Sequence, residues 1–315
     1  RTPVTIQGRQ VRMRVRVGIA PYQTSDSFDE ARRHSETAIR ALRDRASAER
    51  IGFFDDTAQR RADRRVELES AMSQGGFLQQ LRIHFQPIVD LDTETAVGYE
   101  ALVRWEHPEM GMVSPGDFIP LAEENGIILD IGWFVLQKSL EMAARLDAQA
   151  REHGEVPFVS VNVSPVQLME LDLPRHFADK LQESGIPRNR IKIEITETVL
   201  EENQETFWRV ADAFRDLGLA IAIDDFGSGS SAFRRLHDFQ FDTLKIDQHF
   251  VRHVEIGARS RTLLETITQL AVTMDMMPIA EGIETEEHAQ FVRDAGCRFG
   301  QGYLYGRPAP IDELV

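Results

Sequence analysis

Beginning at Arg82, short apolar runs alternate with longer stretches in which apolar side chains recur at helical spacing. Eight runs read as strands: Ile83–Leu91, Ala96–Trp105, Pro157–Val163, Ile191–Thr196, Leu219–Asp224, Thr243–Ile246, Pro278–Ala280 and Arg298–Gly300. Helical stretches between the later strands include Pro115–Glu124, Ile131–Ala150, Glu201–Leu217, Ser260–Met274 and Thr285–Ala295. This alternation predicts βα units around a parallel sheet, and eight strands suffice to close a barrel. The first two strands are joined only by Asp92–Thr95, too short for a crossover helix. They are expected to pair antiparallel, which makes the barrel irregular.

Residues 1–56 follow a different pattern and read as a small α/β piece. Two alternating runs flank Gly8, a hairpin signal in which Val11, Met13, Val15 and Val17 share one face. Ser27–Arg45 reads as a helix with Ser27 as its cap and Phe28, Ala31, Ser35, Ala38, Ile39 and Leu42 on one stripe. Ile51–Phe54 is a short strand. Thr57–Met72, rich in Arg and Glu, reads as a linker helix ending near Gly75-Gly76. The expected organisation is 1–56, a linker at 57–80, and the barrel at 81–315.

Composition agrees with this division. A chain of 315 residues holds one barrel of about 250 residues plus a smaller piece. The 42% of hydrophobic residues is ample for a core of that size. Cys297 is the single cysteine, so no intramolecular disulfide can form, and a reducing, cytoplasmic setting is expected. No apolar run approaches the ~18 residues of a membrane span, and no signal peptide is visible. The chain opens on Arg1 rather than Met, from which a fragment is expected, with a regulatory domain upstream. Residues 1–80 carry 15 Lys+Arg against 11 Asp+Glu, and the remainder 21 against 40. So acidic a barrel disfavours nucleic acid, and it needs bridging cations if it handles a phosphate.

Candidate chemistry concentrates where strands end. The apolar run Leu219–Ile223 passes directly into Asp224 and Asp225 and then a loop containing Gly227 and Gly229, the way a strand buried on both faces delivers polar groups. An Asp-Asp pair is also an ordinary start to a solvated turn. Other strand ends, however, do the same thing: Glu100, Asn162, Glu194, Lys245 with Asp247, Glu281 and Gln301 all lie on or just past predicted strands. In a parallel α/β barrel that end is the ligand-binding face. Carboxylates converging in low dielectric repel unless ions neutralise them, which implies divalent metal. Oxygen donors suit Mg²⁺ or Mn²⁺; zinc spacings such as HExxH or paired cysteines do not occur, and the nine histidines are scattered. Ordinary roles compete at several positions. Glu197 fits a first-turn helix acid, Lys245 a salt bridge to Asp247, and Glu281 and Glu284 helix-cap acids, although Gly282 between them allows a tight turn beside a ligand.

These residues sit in motifs that together resemble the EAL domain, the cyclic di-GMP phosphodiesterase family. Glu100-Ala101-Leu102 within YEALVRW is the naming motif, and FQPIVDL, SPGDFIPLAEENG, SVNVSP, IEITET, IDDFGSG, LKID, IAEGIET and QGYLYGRP follow in order, covering about Leu81 to Pro310. Val17–Ala20, the helix with Ala38, and Ile51–Asp55 resemble the C-terminal end of a diguanylate cyclase (GGDEF) domain whose signature loop is absent here. The resemblance implies an irregular TIM (β/α)8 barrel with an antiparallel first strand, and hydrolysis of cyclic di-GMP to linear pGpG with two Mg²⁺ or Mn²⁺ ions. It implies that Glu100, Asn162, Glu194 and Asp224 hold one ion, and that Asp224, Asp225 and Asp247 serve the other, with Glu281 and Gln301 acting directly or through water. Lys245 would orient or deprotonate the attacking water. Gln86 and Arg104 match substrate contacts, Glu197 the residue that holds the loop after Asp225, and Glu284 an acid behind the site. Calcium, with larger and looser coordination, is expected to inhibit. A homodimer through the barrel is expected as well. The chain departs from the family's Thr-Gly-Tyr-Ser-Ser-Leu at Ser228–Phe233, losing an aromatic at Ser230 and a hydroxyl at Ala232. That leaves a cyclic di-GMP receptor without turnover as the competing expectation.

Overall fold

The computed structural model describes residues 4–6, 9–11, 15–20, 27–44, 50–150, 156–197, 205–227, 239–252 and 258–314. It divides into two compact units, Arg1–Phe77 and Leu78–Val315. In the first, β1 (Val4–Ile6) and β2 (Arg9–Val11) form an antiparallel pair, and β3 (Val17–Ile19) pairs in parallel with β4 (Ile51–Phe53). The alternating run from Val11 to Val17 is therefore shared between two sheets; Met13 lies outside the described residues. Helix α1 (Phe28–Asp44) starts with a reciprocal cap: Ser27 Oγ accepts from Glu30 N (3.2 Å), and the Glu30 carboxylate accepts from Ser27 N (2.9 Å). It lies so close over β3 that a Cβ on Gly18 would stand 1.9 Å from the Ser35 carbonyl oxygen. Ala38 and Leu42 are buried beneath it, whereas Phe28, in its first turn, is exposed. Helix α2 (Asp56–Ser73) buries Leu68 and Met72 and carries surface pairs such as Arg65–Glu69, worth about 0.5 kcal/mol or less each.

The second unit runs β5 (Leu81–Asp90), β6 (Ala96–His107), β7 (Gly111–Val113), α3 (Pro115–Asn125), α4 (Ile128–Ala150), β8 (Phe158–Asn162), α5 (Leu173–Ser184), β9 (Ile191–Thr196), α6 (Glu205–Asp216), β10 (Ala220–Phe226), β11 (Thr243–Ile246), α7 (Gln248–Arg252), α8 (Ala258–Thr273), β12 (Met277–Ala280), α9 (Glu286–Asp294), β13 (Phe299–Gln301) and α10 (Ile311–Leu314). Around the barrel the order is β5-β13-β12-β11-β10-β9-β8-β6, and pairing of β5 with β6 closes it. Strands β6 and β8 to β13 are mutually parallel, while β5 is antiparallel to both neighbours. The irregular TIM barrel with an antiparallel first strand is thus the observed fold. The short strand β7, attached to β6, and helices α5 and α7 are additions to the pattern read from sequence.

Strand periodicity places the site. Val159, Val161, Ile193, Ile195, Ile221, Ile223, Leu244 and Ile246 are buried, and α4, α6 and α8 cover the strands that carry them. Each such side chain contributes about 1.5–3 kcal/mol relative to exposure. The residues between them, including Ser160, Asn162, Lys192, Glu194, Asp224 and Lys245, take the opposite face and turn into the barrel.

Candidate functional site

Four parallel strands aim ionisable side chains at one point inside the C-terminal mouth. Lys245 of β11 is fully buried, with its Nζ 3.1 Å from Glu100 Oε2 (β6), 2.9 Å from Glu194 Oε2 (β9), 3.0 Å from Asp224 Oδ1 (β10) and 2.8 Å from Glu281 Oε1, just beyond β12. One ammonium against four carboxylates leaves an excess of negative charge where water cannot screen it. Burial pushes Glu194 up to about 8; Lys245 opposes this, and Glu100 and Asp224 add to it. Burial likewise drives Glu281 well above the carboxylate range, against the pull of Lys245 and with the repulsion of Asp224 and Glu100. Burial alone would raise Glu100, but Lys245 and hydrogen bonds from Gln301 and Asn162 hold it below its usual value. For Lys245 burial is outweighed by the surrounding carboxylates, Asp224 foremost, which keep it an ammonium.

A layer of amides brackets Glu100. Asn162 Nδ2 donates to its Oε1 (2.8 Å), and Gln301 Nε2 donates to its Oε2 (2.7 Å) and to Gln86 Oε1 (3.1 Å). Gln86, opposite Glu100 in register, donates to the Gly306 carbonyl at 3.1 Å.

Neighbouring residues on a regular strand face opposite ways, so Asp224 and Asp225 would be expected to part. The register between β10 and β11 shifts between Ile223 and Phe226, and Asp225 takes φ 55°, a left-handed backbone that Asp tolerates better than most residues. Both carboxylates therefore border the same cleft. Burial, reinforced by Asp224 and Asp247, pushes Asp225 up to about 6. Asp247 caps α7 by accepting from His249 N at 2.8 Å. Glu197 is buried and its Oε2 accepts from Gly227 N at 2.7 Å, bracing the start of the loop that follows Asp225. Positions Ser228–Phe233, where the chain departs from the family pattern, lie outside the described residues.

The cleft above this cluster measures about 250 Å³ and is bordered by Gln86, Glu100, Asp224, Asp225, Glu281 and Gln301, with Arg252, Glu284 and Tyr303 on its rim. Gly282 has φ 73°, and a Cβ there would stand 2.4 Å from Gln248 Cβ, so glycine lets the turn after Glu281 pass against α7. Glu284 pairs with Arg252 rather than with any member of the inner cluster. Arg104 is half-buried, donates to the Val103 carbonyl (2.9 Å), and borders an adjoining, more apolar hollow of about 260 Å³ together with Asn162.

The donor chemistry fits hard divalent cations. Glu100, Glu194 and Asp224 each bring an oxygen within 4.8 Å of the others, and so do Asp224, Asp225 and Glu281, with Asp224 common to both groups. Glu194 Oε1 and Gln301 Oε1 are buried without a hydrogen-bond partner, which leaves oxygens directed into the barrel that a cation would complete.

The sequence reading passed over Lys192. Its Nζ donates to Thr243 Oγ1 (2.8 Å) and lies 3.9 Å above the Phe158 ring, and burial lowers it to about 8 despite Glu194 and Asp242. The signal is present in the sequence: Lys192 lies between Ile191 and Ile193, two positions before Glu194, much as Lys245 lies between Leu244 and Ile246.

Comparison with known proteins places the chain in context. The family model described as EAL domain matches residues 65–308. An uncharacterized signaling protein of Caulobacter vibrioides is 33% identical over 319 residues, covering 99% of this chain and 38% of that protein. The bifunctional diguanylate cyclase/cyclic di-GMP phosphodiesterase MucR of Pseudomonas aeruginosa is 30% identical over 317 residues, covering 99% of this chain and 45% of MucR. The chain thus spans less than half the length of either relative. The solved structure of the MucR phosphodiesterase in complex with c-di-GMP superposes with a TM-score of 0.73 at 30% identity, covering 79% of this chain and all of that one.

Proposed function

The chain belongs to the EAL domain family, and from that premise we propose that its barrel is a metal-dependent phosphodiesterase that opens cyclic di-GMP to linear pGpG. The observation that carries this reading is the ring of Glu100, Glu194, Asp224 and Glu281 closing on Lys245 at the mouth of the barrel. A complex of MucR with c-di-GMP on the same fold supports the choice of substrate.

In this reading Glu100, Asn162, Glu194 and Asp224 hold one divalent ion. Asp224, Asp225 and Asp247 hold a second, with Glu281 and Gln301 contributing directly or through water. Two Mg²⁺ or Mn²⁺ ions would supply the positive charge that makes water nucleophilic at neutral pH and offsets the charge gathering on the phosphodiester. Lys245, as an ammonium, orients the attacking water and neutralises charge; it accepts a proton only once its carboxylate neighbours are otherwise neutralised. Water adds to phosphorus, the P–O3′ bond breaks, and the departing ribose oxygen takes a proton, giving the linear dinucleotide. Gln86 and Arg104 contact the substrate, Arg104 with a forked donor set suited to phosphate or a base edge. Glu197 keeps the loop after Asp225 in place through Gly227, and Glu284 acts at the rim.

The test is product identity from cyclic di-GMP incubated with purified protein and Mn²⁺. Linear pGpG that disappears in Glu100→Ala supports the reading; an intact cyclic dinucleotide overturns hydrolysis. The loss of the aromatic at Ser230 and the hydroxyl at Ala232 favours a second reading, a receptor that binds without turnover. Calorimetry that finds binding alongside unconverted ligand would establish it. We further assign residues 1–56 to the end of a GGDEF-like domain, 57–80 to a linker and 81–315 to the phosphodiesterase, with the barrel as a homodimer contact. Light scattering of the purified chain tests the last point.

A further inference from the structure

We propose that Arg252 is a specificity-determining residue that grips the phosphate of the cyclic dinucleotide that is not being cleaved, an inference that rests on the phosphodiesterase reading above. The charge balance of the cleft points to it. Among the described residues that border the cleft, Glu100, Asp224, Asp225, Glu281 and Glu284 are carboxylates, and Arg252 is the one with a cationic side chain. A cyclic dinucleotide brings two phosphodiester anions into this cleft. Bound divalent ions would neutralise the one under attack, and Arg104 borders the adjoining hollow rather than this cleft, so the other meets acidic walls here unless a protein cation lies on the rim.

The local structure suits Arg252 to that task. Helix α7 follows β11 directly and starts on the Asp247 cap, and Val251 is fully buried, so the backbone carrying Arg252 is pinned to the barrel. Its side chain remains 46% exposed and reaches across the rim to Glu284 through Nη2. A guanidinium has five donors in a fixed fork, so a contact at Nη2 leaves N–H groups for a phosphate. Glu284, on the far side of the Gly282 turn, then acts as a positioning residue that keeps the guanidinium over the cleft rather than out in solvent. The competing role is purely structural, with the pair tying α7 to the Gly282 turn. Such a tie would affect every substrate alike.

The two roles separate on substrates with different numbers of phosphates. Wild-type protein and Arg252→Ala are compared with Mn²⁺ on cyclic di-GMP, which has two phosphodiesters, and on bis(p-nitrophenyl) phosphate, which has one. Loss of a charge-assisted phosphate contact should reduce kcat/KM on cyclic di-GMP by about 10- to 100-fold, mainly through KM, and by at least about tenfold more than on the small diester. Arg252→Lys should recover part of the loss, because an ammonium keeps the charge but not the fork. Titration of cyclic di-GMP in Ca²⁺ should give a Kd raised by a similar factor in Arg252→Ala, a readout independent of turnover. Equal losses on both substrates, or an unchanged KM and Kd for cyclic di-GMP, overturn the proposal and leave the phosphodiesterase reading standing. Wild-type protein that hydrolyses neither compound overturns that reading and this inference with it.

Discussion

Lys245 Nζ lies 2.9 Å from Glu194 Oε2, and both side chains are only 1% exposed. Neither charge would persist there alone: the lysine is kept protonated by its acids, and Glu194 is kept partly ionised by its lysine. Breaking such a pair from one side typically costs about 3–5 kcal/mol, because it strands the opposite charges. Lys245→Met should therefore lower Tm strongly in a chelator and recover much of the loss in Mn²⁺, since cations replace the missing ammonium. Thermal unfolding with and without metal checks this. A variant whose Tm loss is the same in both conditions would mean the site takes no divalent ion.

Asp225 offers a sharper test, because its backbone and its carboxylate can be altered separately. At φ 55° Asn is tolerated nearly as well as Asp, whereas a β-branched residue costs about 1–2 kcal/mol more. Asp225→Asn should keep the wild-type Tm and lose most turnover; Asp225→Val should lose both. If Asn retains full turnover, the second of the two adjacent carboxylates has no part in the chemistry.

Legibility differed between parts of this chain for physical reasons. The parallel strands were readable because burial on both faces writes continuous apolar runs, as in Leu219–Ile223, and the antiparallel first pair was readable because Asp92–Thr95 cannot hold a helix. The clustering of Glu100, Glu194 and Asp224 followed from strand ends sharing one side of a barrel. What periodicity could not reveal was the register shift that turns Asp225 to the same side as Asp224, since it depends on pairing with β11. The division of the Val11–Val17 run between two sheets likewise depends on pairing, since Val11 pairs locally with Val4 whereas Val17 pairs with Ile51, far along the chain. Lys192 differs again: its apolar flanks, Ile191 and Ile193, mark it as buried, but no motif in the sequence assigns it a role.

Cys297 gives a pH dependence with a definite sign. The thiol is 1% exposed, with only weak contacts from Sγ to the Pro278 and Phe299 carbonyls (3.4 and 3.3 Å), and burial pushes it up to about 12 from 9.0. Between those values the unfolded chain has released its proton and the folded chain has not, so the thiol's contribution to stability is intact below pH 9 and falls by about 1.4 kcal/mol per pH unit as pH rises toward 12. Cys297→Ala removes this slope. The difference in unfolding free energy between variant and wild type should therefore shift in favour of the variant above pH 9, and a pH-independent difference would contradict the burial of the thiol. For the same reason a thiol reagent at pH 8 should label the protein only after denaturation.

Calcium separates holding the substrate from cutting it. The site offers carboxylates and amide oxygens on strands fixed by the barrel, with Asp224 common to both oxygen groups. Mg²⁺ and Mn²⁺ are small enough for compact octahedral geometry, whereas Ca²⁺ takes six to eight oxygens at about 2.3–2.6 Å and tolerates irregular arrangements. Ca²⁺ should therefore support binding of the cyclic dinucleotide by neutralising the acids, yet leave the water and the phosphodiester out of line. The expected result is Ca²⁺-dependent binding by calorimetry, little or no linear product, and competitive loss of Mn²⁺-supported turnover as Ca²⁺ is added. Turnover in Ca²⁺ equal to that in Mn²⁺ would mean that ion geometry does not position the attack, and the catalytic roles assigned to Asp224 and Asp225 would have to be withdrawn.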